Sequence, residues 1–177
     1  MSQPRKLTRD VLWSALTALG RHTSDPVSLV LGGSAALILS KALWRPTDDG
    51  DVVTSEPDLG KLQPAIREVA NDEQLPPGWL NGSIQSYTYV LPTDYAERLM
   101  ALPPFGRLRV WLLGRSDVIL MKVYGLRPRD VDDLRAIEPT KEELAFVRSQ
   151  VPRIEAKEPD KASAMQSFLD EWEARGE

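Results

Sequence analysis

The sequence predicts an α/β (α+β) fold: a mixed, twisted sheet flanked by helices, with further helices at the C-terminal end. Three observations predict it. Short apolar runs of strand length, Val27 to Leu31 and Leu108 to Leu113, alternate with longer stretches whose apolar residues recur at helical spacing. The segment LGGSAALILSKALWRPTDDGDVV, Leu31 to Val53, reads as strand end, glycine turn, helix and second strand. From Thr140 onward only helical patterns remain. At 177 residues the chain suits one domain with an appendage. The division expected is a main domain over 1–138 and a helical extension over 139–177 packed on it.

Thr8 to Leu19 forms an amphipathic helix, with Thr8 as cap, Val11, Leu12, Ala15 and Leu19 on its inner face and Gly20 at its end. His22 follows in a polar connector and reads as a surface residue, with a catalytic base as the other option. Val27 to Leu31 is a buried strand between Pro26 and Gly32. Ser34 to Leu43 is a largely buried helix, Asp51 to Ser55 the second strand, and Asp58 to Asn71 a helix with Leu59, Leu62, Ile66, Val69 and Ala70 inside. Leu75 to Asn81 is a proline-rich loop whose Trp79 either packs or offers a face to a base.

Ser83 to Leu91 alternates like a strand, and Asp94 to Leu102 reads as a short helix stopped by Pro103 and Pro104. Leu108 to Leu113 is a strand, and Asp117 to Leu126 a helix capped by Ser116. Thr140 caps the next helix, with Glu142 and Glu143 in its first turn and Pro152 at its end; Ala162 to Arg175 is the last.

Composition narrows the function classes. Hydrophobic content of 42% with 27% charged residues is that of a globular protein, and a net charge of −4 argues against strong nonspecific nucleic-acid binding. There is no cysteine, so disulfides and thiolate metal sites are excluded, and a single histidine argues against a histidine zinc site. The start, MSQPRKLTRD, lacks the apolar core of a secretory signal, and no apolar run reaches the roughly 18 residues of a membrane span. The expectation is a cytoplasmic protein with no membrane partner.

The chemistry gathers in the glycine segment. Gly32 and Gly33 permit close backbone approach, and Ser34 opens a helix whose free N–H groups attract anions. Asp49 and Asp51, two apart, face the same way once Asp51 lies in a strand, and together suit Mg²⁺ (or Mn²⁺) shared with substrate phosphates. Asp48 faces away, as a solvated loop charge. Arg45 is a phosphate contact, a surface cation, or a bidentate partner that fixes the carboxylates, and Thr47 orders the turn. Farther on, Lys122 stands almost alone among apolar neighbours, either snorkelling along the core or clamping a triphosphate. Arg127, Arg129, Asp130, Asp132 and Asp133 crowd the next turn. Asp130 and Asp133 share a helix face, placed to orient Lys122 or the arginines, or to act as a base.

The pattern G-G-S followed by R-x-T-x-D-x-D (Arg45, Thr47, Asp49, Asp51) resembles the signature of the polymerase-beta-like nucleotidyltransferase superfamily. Within it the chain is most similar to small bacterial AbiEii-type toxins and related nucleotidyltransferase-like proteins. A second block, Asp117 to Leu134, is similar to the superfamily's distal lysine, arginine and aspartate segment, mapping to Lys122, Arg127 or Arg129, Asp130 and Asp133. Relatives also carry an element like the W-L-N of Trp79 to Asn81.

The resemblance implies a minimal nucleotidyltransferase fold and transfer of a nucleoside monophosphate from a nucleoside triphosphate to a tRNA or protein hydroxyl. It implies a toxin role beside an antitoxin. Catalytic residues would be Asp49, Asp51, Lys122 and Asp130. Asp49 and Asp51 would hold metal, and Gly32, Gly33, Ser34, Arg45, Thr47, Lys122 and Arg127 would hold nucleotide. Two departures stand out. Gly50 replaces a usual strand former between the aspartates, and the strand at Leu108 to Leu113 has none of the third carboxylates common in the superfamily. They keep a second reading open, a non-catalytic nucleotidyltransferase-like protein that binds a nucleotide or a partner.

Overall fold

The computed structural model describes residues 4–176. Met1 to Gln3, part of the start read above for a signal, lie outside the described residues. Seven helices and five strands follow in the order α1 (Arg9–His22), β1 (Val27–Gly32), α2 (Gly33–Leu39), β2 (Gly50–Glu56), α3 (Leu59–Asp72), β3 (Leu80–Asn81), β4 (Met100–Ala101), β5 (Leu108–Leu112), α4 (Arg115–Gly125), α5 (Pro128–Ile137), α6 (Lys141–Glu155) and α7 (Pro159–Arg175). Two 3₁₀ turns, Gln85–Val90 and Tyr95–Arg98, lie between β3 and β4.

The sheet is mixed, as expected, in the order β3-β2-β1-β5-β4. β1 runs antiparallel to β2 and parallel to β5. Residues paired across neighbouring strands share a sheet face. Leu29, Leu31, Val52, Val110 and Leu112 are all essentially buried on the face under the helices. Ser28, Thr54, Glu56, Arg109 and Trp111 fall on the other face and are exposed or half-exposed. A bulge between Val30 and Leu31 shifts the β1–β2 register, so that Gly32 lies opposite Asp51 on the open face. The sequence thus covers one face of the sheet and leaves the other, with Asp51 on it, accessible. α6 and α7 pack on each other and against α4. Among the described residues no helix is long and apolar enough to cross a membrane.

Several local expectations are corrected. The stretch Ser83 to Leu91 is no strand but holds the 3₁₀ turn Gln85–Val90, because its alternating positions carry Ser86 and Thr88 where a packed strand needs apolar residues, and Thr88 turns its hydroxyl onto Gln85 O. Asp94 to Leu102 is a short 3₁₀ turn and then β4, held by Arg98 between Asp94 and Asp117. α2 stops at Leu39, short of Leu43. Gly114, not Ser116, caps α4. Pro152 lies inside α6 and does not end it, while Pro159 starts α7 at a position where its missing N–H costs nothing.

Gly20 lies within α1, which continues to His22. A Cβ there would sit 2.1 Å from the Phe105 carbonyl oxygen, so the glycine serves helix-to-loop contact and not helix termination. Gly20→Ala must push the Phe105 loop away. The expected loss is about 1–3 kcal/mol, as for other overpacked cores, seen as a lowered Tm with near-normal helical signal.

Candidate active site

β1 delivers the chain to a turn that only glycine suits. Gly33 has φ of +56°, and a Cβ on it would lie 2.1 Å from Asp51 Oδ2. The Asp51 carboxylate therefore lies against the backbone at the start of α2. Asp51 pairs in register with Gly32 on β1 and with Asn81 on β3. Asp49 sits just ahead of β2. Asn81 Nδ2 donates to Asp49 at 3.2 Å, and Ser83 Oγ donates to Asp51 at 3.2 Å. Burial pushes the Asp51 carboxyl above its ordinary range, and the negative charge of Asp49 pushes it further. Asp51 thus carries its charge beside that of Asp49, eased by Arg127 and Lys122.

Gly50, between the two, has no left-handed φ. Its N–H donates to Trp79 O at 2.6 Å, and a Cβ would lie 3.3 Å from Leu80 Cδ1. β3 thus lies close against Gly50, and a side chain there would need the Leu80 methyl to give by a few tenths of an ångström.

Behind the pair lies a second layer of charge, and it is buried. Lys122 is 4% exposed, Asp130 2% and Asp133 0%. Lys122 Nζ reaches Asp133 Oδ2 at 2.7 Å and Asp130 Oδ1 at 3.3 Å. Ser34 Oγ donates to Asp133 Oδ2 at 2.6 Å, and Arg45 Nε donates to Asp133 Oδ1 at 2.6 Å. Asp130 accepts from the Arg127 backbone N–H at 3.2 Å and from Arg127 Nε at 2.8 Å. Burial would raise the Asp133 carboxyl, but Lys122 and Ser34 hold it below the ordinary range. The cluster joins α2, the α2–β2 connector, α4 and α5.

The predicted residues thus separate into two sets. Gly33, Asp49 and Asp51 are half-buried and open to the site, whereas Gly32, expected to meet nucleotide, is buried under Val53 and Ile84. Ser34, Arg45, Lys122, Asp130 and Asp133 form the ionic layer beneath the site. The Lys122 tip is not wetted, as snorkelling would have it, but paired. Of the options for Arg45, carboxylate pairing is the one seen, but it meets one oxygen of Asp133 and not the aspartate pair, and its Nη2 also donates to Arg129 O at 3.4 Å. Asp130 orients Arg127 and Lys122. The Arg127 side chain, 71% exposed, is the cation at the rim, and Asp49 and Asp51 both lie within its electrostatic reach. Thr47 is buried, pairs by backbone with Leu7 and accepts a hydrogen bond from Arg129.

Asp48 is exposed, as expected of a loop charge, and is paired with Lys6 and Arg129. His22 ends α1 and pairs with Glu68 at 2.9 Å and with Asp72 on α3, away from the site. Trp79 is fully buried and donates to Ile66 O at 3.0 Å, so packing is its role. Among the described residues no three His, Cys, Asp or Glu side chains group to hold a metal. Sequence reasoning gave no roles to Asn81 and Ser83; the Asn-Gly-Ser run after Trp79 was the available signal of a polar turn.

The class of protein is given by the chain's likeness to a known family. Residues 12–175 match the family described as nucleotidyltransferase of unknown function (DUF6036). No curated protein and no solved structure gives a match. The chain belongs to this nucleotidyltransferase family.

Two stability measurements separate the layers. Asp51 is raised, so ionising it in the folded protein costs stability that grows as pH rises above 3.8, its ordinary value. Asp51→Asn should raise Tm at neutral pH, and the gain should shrink as pH falls toward that value. In the inner layer, Lys122→Met leaves Asp130 and Asp133 buried without their shared cation. The expected loss is about 3 kcal/mol in denaturant unfolding, where a snorkelling lysine would give none.

Proposed function

We propose that the chain is a Mg²⁺- or Mn²⁺-dependent nucleotidyltransferase that moves a nucleoside monophosphate from a nucleoside triphosphate to an acceptor hydroxyl on tRNA or protein. We further propose that it serves as the toxin of a toxin–antitoxin pair, a role that rests on the resemblance to AbiEii-type proteins alone. The observation that carries the chemistry is the Asp49–Asp51 pair at the mouth of the left-handed Gly33 turn.

The donor set fits the metal. Mg²⁺ is commonly held by one or two carboxylates completed by substrate phosphates and water, and two adjacent carboxylates that repel each other are what the site offers. When bound, the ion neutralises charge that develops around the α-phosphorus. The residues do the rest. Gly33 lets the Asp51 carboxylate lie against the start of α2, and Arg127 meets the outer charge of the phosphates from the rim. Lys122 adds positive potential from beneath, already felt at Asp51. The acceptor hydroxyl gives up its proton to solvent as its oxygen bonds to the α-phosphorus, the α–β anhydride bond breaks, and pyrophosphate leaves. Such a reaction draws its rate from positioning and electrostatics and needs no protein nucleophile.

One observation favours the non-catalytic reading. Where a third carboxylate would strengthen the pair, the neighbouring strand presents the amide of Asn81. The test is incubation with each labelled nucleoside triphosphate, Mg²⁺ and either total tRNA or lysate. The parent should label an acceptor, and Asp49→Asn or Asp51→Asn should cut labelling by on the order of 100-fold or more. Absence of labelled product with any triphosphate and acceptor favours the binding protein. A small antitoxin-like reading frame beside the gene supports the toxin role.

A further inference from the structure

Trp79 is sealed in the core, which leaves open what receives the base of a bound nucleotide. The 3₁₀ turn Gln85–Val90 supplies an aromatic face in its place. It follows directly on Ser83, whose hydroxyl holds Asp51 at 3.2 Å, and on Ile84, which packs over Gly32. Tyr87 is the third residue of that turn, four beyond Ser83. Its ring leans on that of Tyr124, centroids 6.2 Å apart. Tyr124 stands in the last turn of α4, three residues before Arg127, the rim cation. Tyr87 is therefore placed from two sides, by Asp51 through Ser83 and by Arg127 through Tyr124.

The shelf is also built to stay in place. Tyr89 and Tyr124 hydroxyls meet at 2.8 Å, and each lies 2.8 Å from Glu158 Oε2. Arg153 of α6 donates to the carbonyl oxygens of Tyr89 and Val90. The polar ends of Tyr89 and Tyr124 are thus used within the fold. Tyr87 is 46% exposed, and among the described residues its hydroxyl has no hydrogen-bond partner. A half-exposed ring, backed by a second ring on a braced turn, loses little freedom when a planar ligand stacks on it.

We infer that Tyr87 is the stacking platform for the nucleobase of the bound nucleoside triphosphate, with Tyr124 as its backing. This rests on the nucleotide reading above. Stacking on an aromatic side chain is tolerant of base identity, so the platform sets affinity more than choice of base.

The test compares two ligands by calorimetry on the full chain: a Mg²⁺-bound nonhydrolysable nucleoside triphosphate, and Mg²⁺-bound inorganic tripolyphosphate, which has no base. Tyr87→Ala should weaken the nucleotide by at least about fivefold and leave tripolyphosphate unchanged. Tyr87→Phe should bind both like the parent, as should Trp44→Ala, which removes the most exposed of the large hydrophobic side chains, 82% exposed. Melting curves identify any variant that has lost its fold. If Tyr87→Ala binds the nucleotide as the parent does, or loses both ligands equally, the platform is wrong while the nucleotide reading stands. If the parent binds neither ligand, both fall.

Discussion

The arrangement depends on one buried carboxylate, Asp133. It accepts from Ser34, Lys122 and Arg45, which come from α2, α4 and the α2–β2 connector, and so ties the glycine turn to α5. A buried ion network of this kind is a poor source of net stability, since hydrophobic residues of the same volume often do as well or better. What it supplies is placement. Three donors fix both oxygens of Asp133, and the start of α2 and the connector leading to Asp49 are fixed with them. Its contribution is present at pH values above the ordinary carboxylate value of 3.8 and is lost as pH falls through the lowered value of the folded protein.

The outer pair follows the opposite logic. Asp49 and Asp51 sit together near Arg127, and burial, with the charge of Asp49 beside it, raises the Asp51 carboxyl. Charges held apart from their ideal partner are characteristic of sites that bind something. The inner layer is balanced within the fold and the outer one is not. That asymmetry separates a scaffold from a site more clearly than any single distance does. The C-terminal helices take part at one remove. Arg153 and Glu158 brace the turn that carries Ser83 to Asp51 and holds Tyr87 against Tyr124.

Much of this was legible in the sequence, and the failures have physical reasons. The covered strands, the glycine turn and the C-terminal helices are written in strong apolar periodicity, and α6 carries its capping signal at Thr140 and Glu143. The stretch between β3 and β4 misled because short polar segments take their shape from side-chain caps and distant partners such as Arg98–Asp117, which no local pattern shows. The same limit applied at the site. Spacing placed Asp49 and Asp51 together, but nothing local says that Lys122 is sealed between two carboxylates, or that Arg45 answers to a residue 88 positions away. Gly20 looked like a helix end, yet its reason is Phe105, on the far side of the sequence.

The central claim is that cation chemistry belongs to the outer pair and that the buried acids are scaffold. Anomalous diffraction from crystals grown with Mn²⁺ and a nonhydrolysable nucleoside triphosphate tests it most directly. The account predicts Mn²⁺ density in contact with both Asp49 and Asp51, and none at Asp130 or Asp133. Density at Asp130 or Asp133, or none at the outer pair with triphosphate bound, would contradict it.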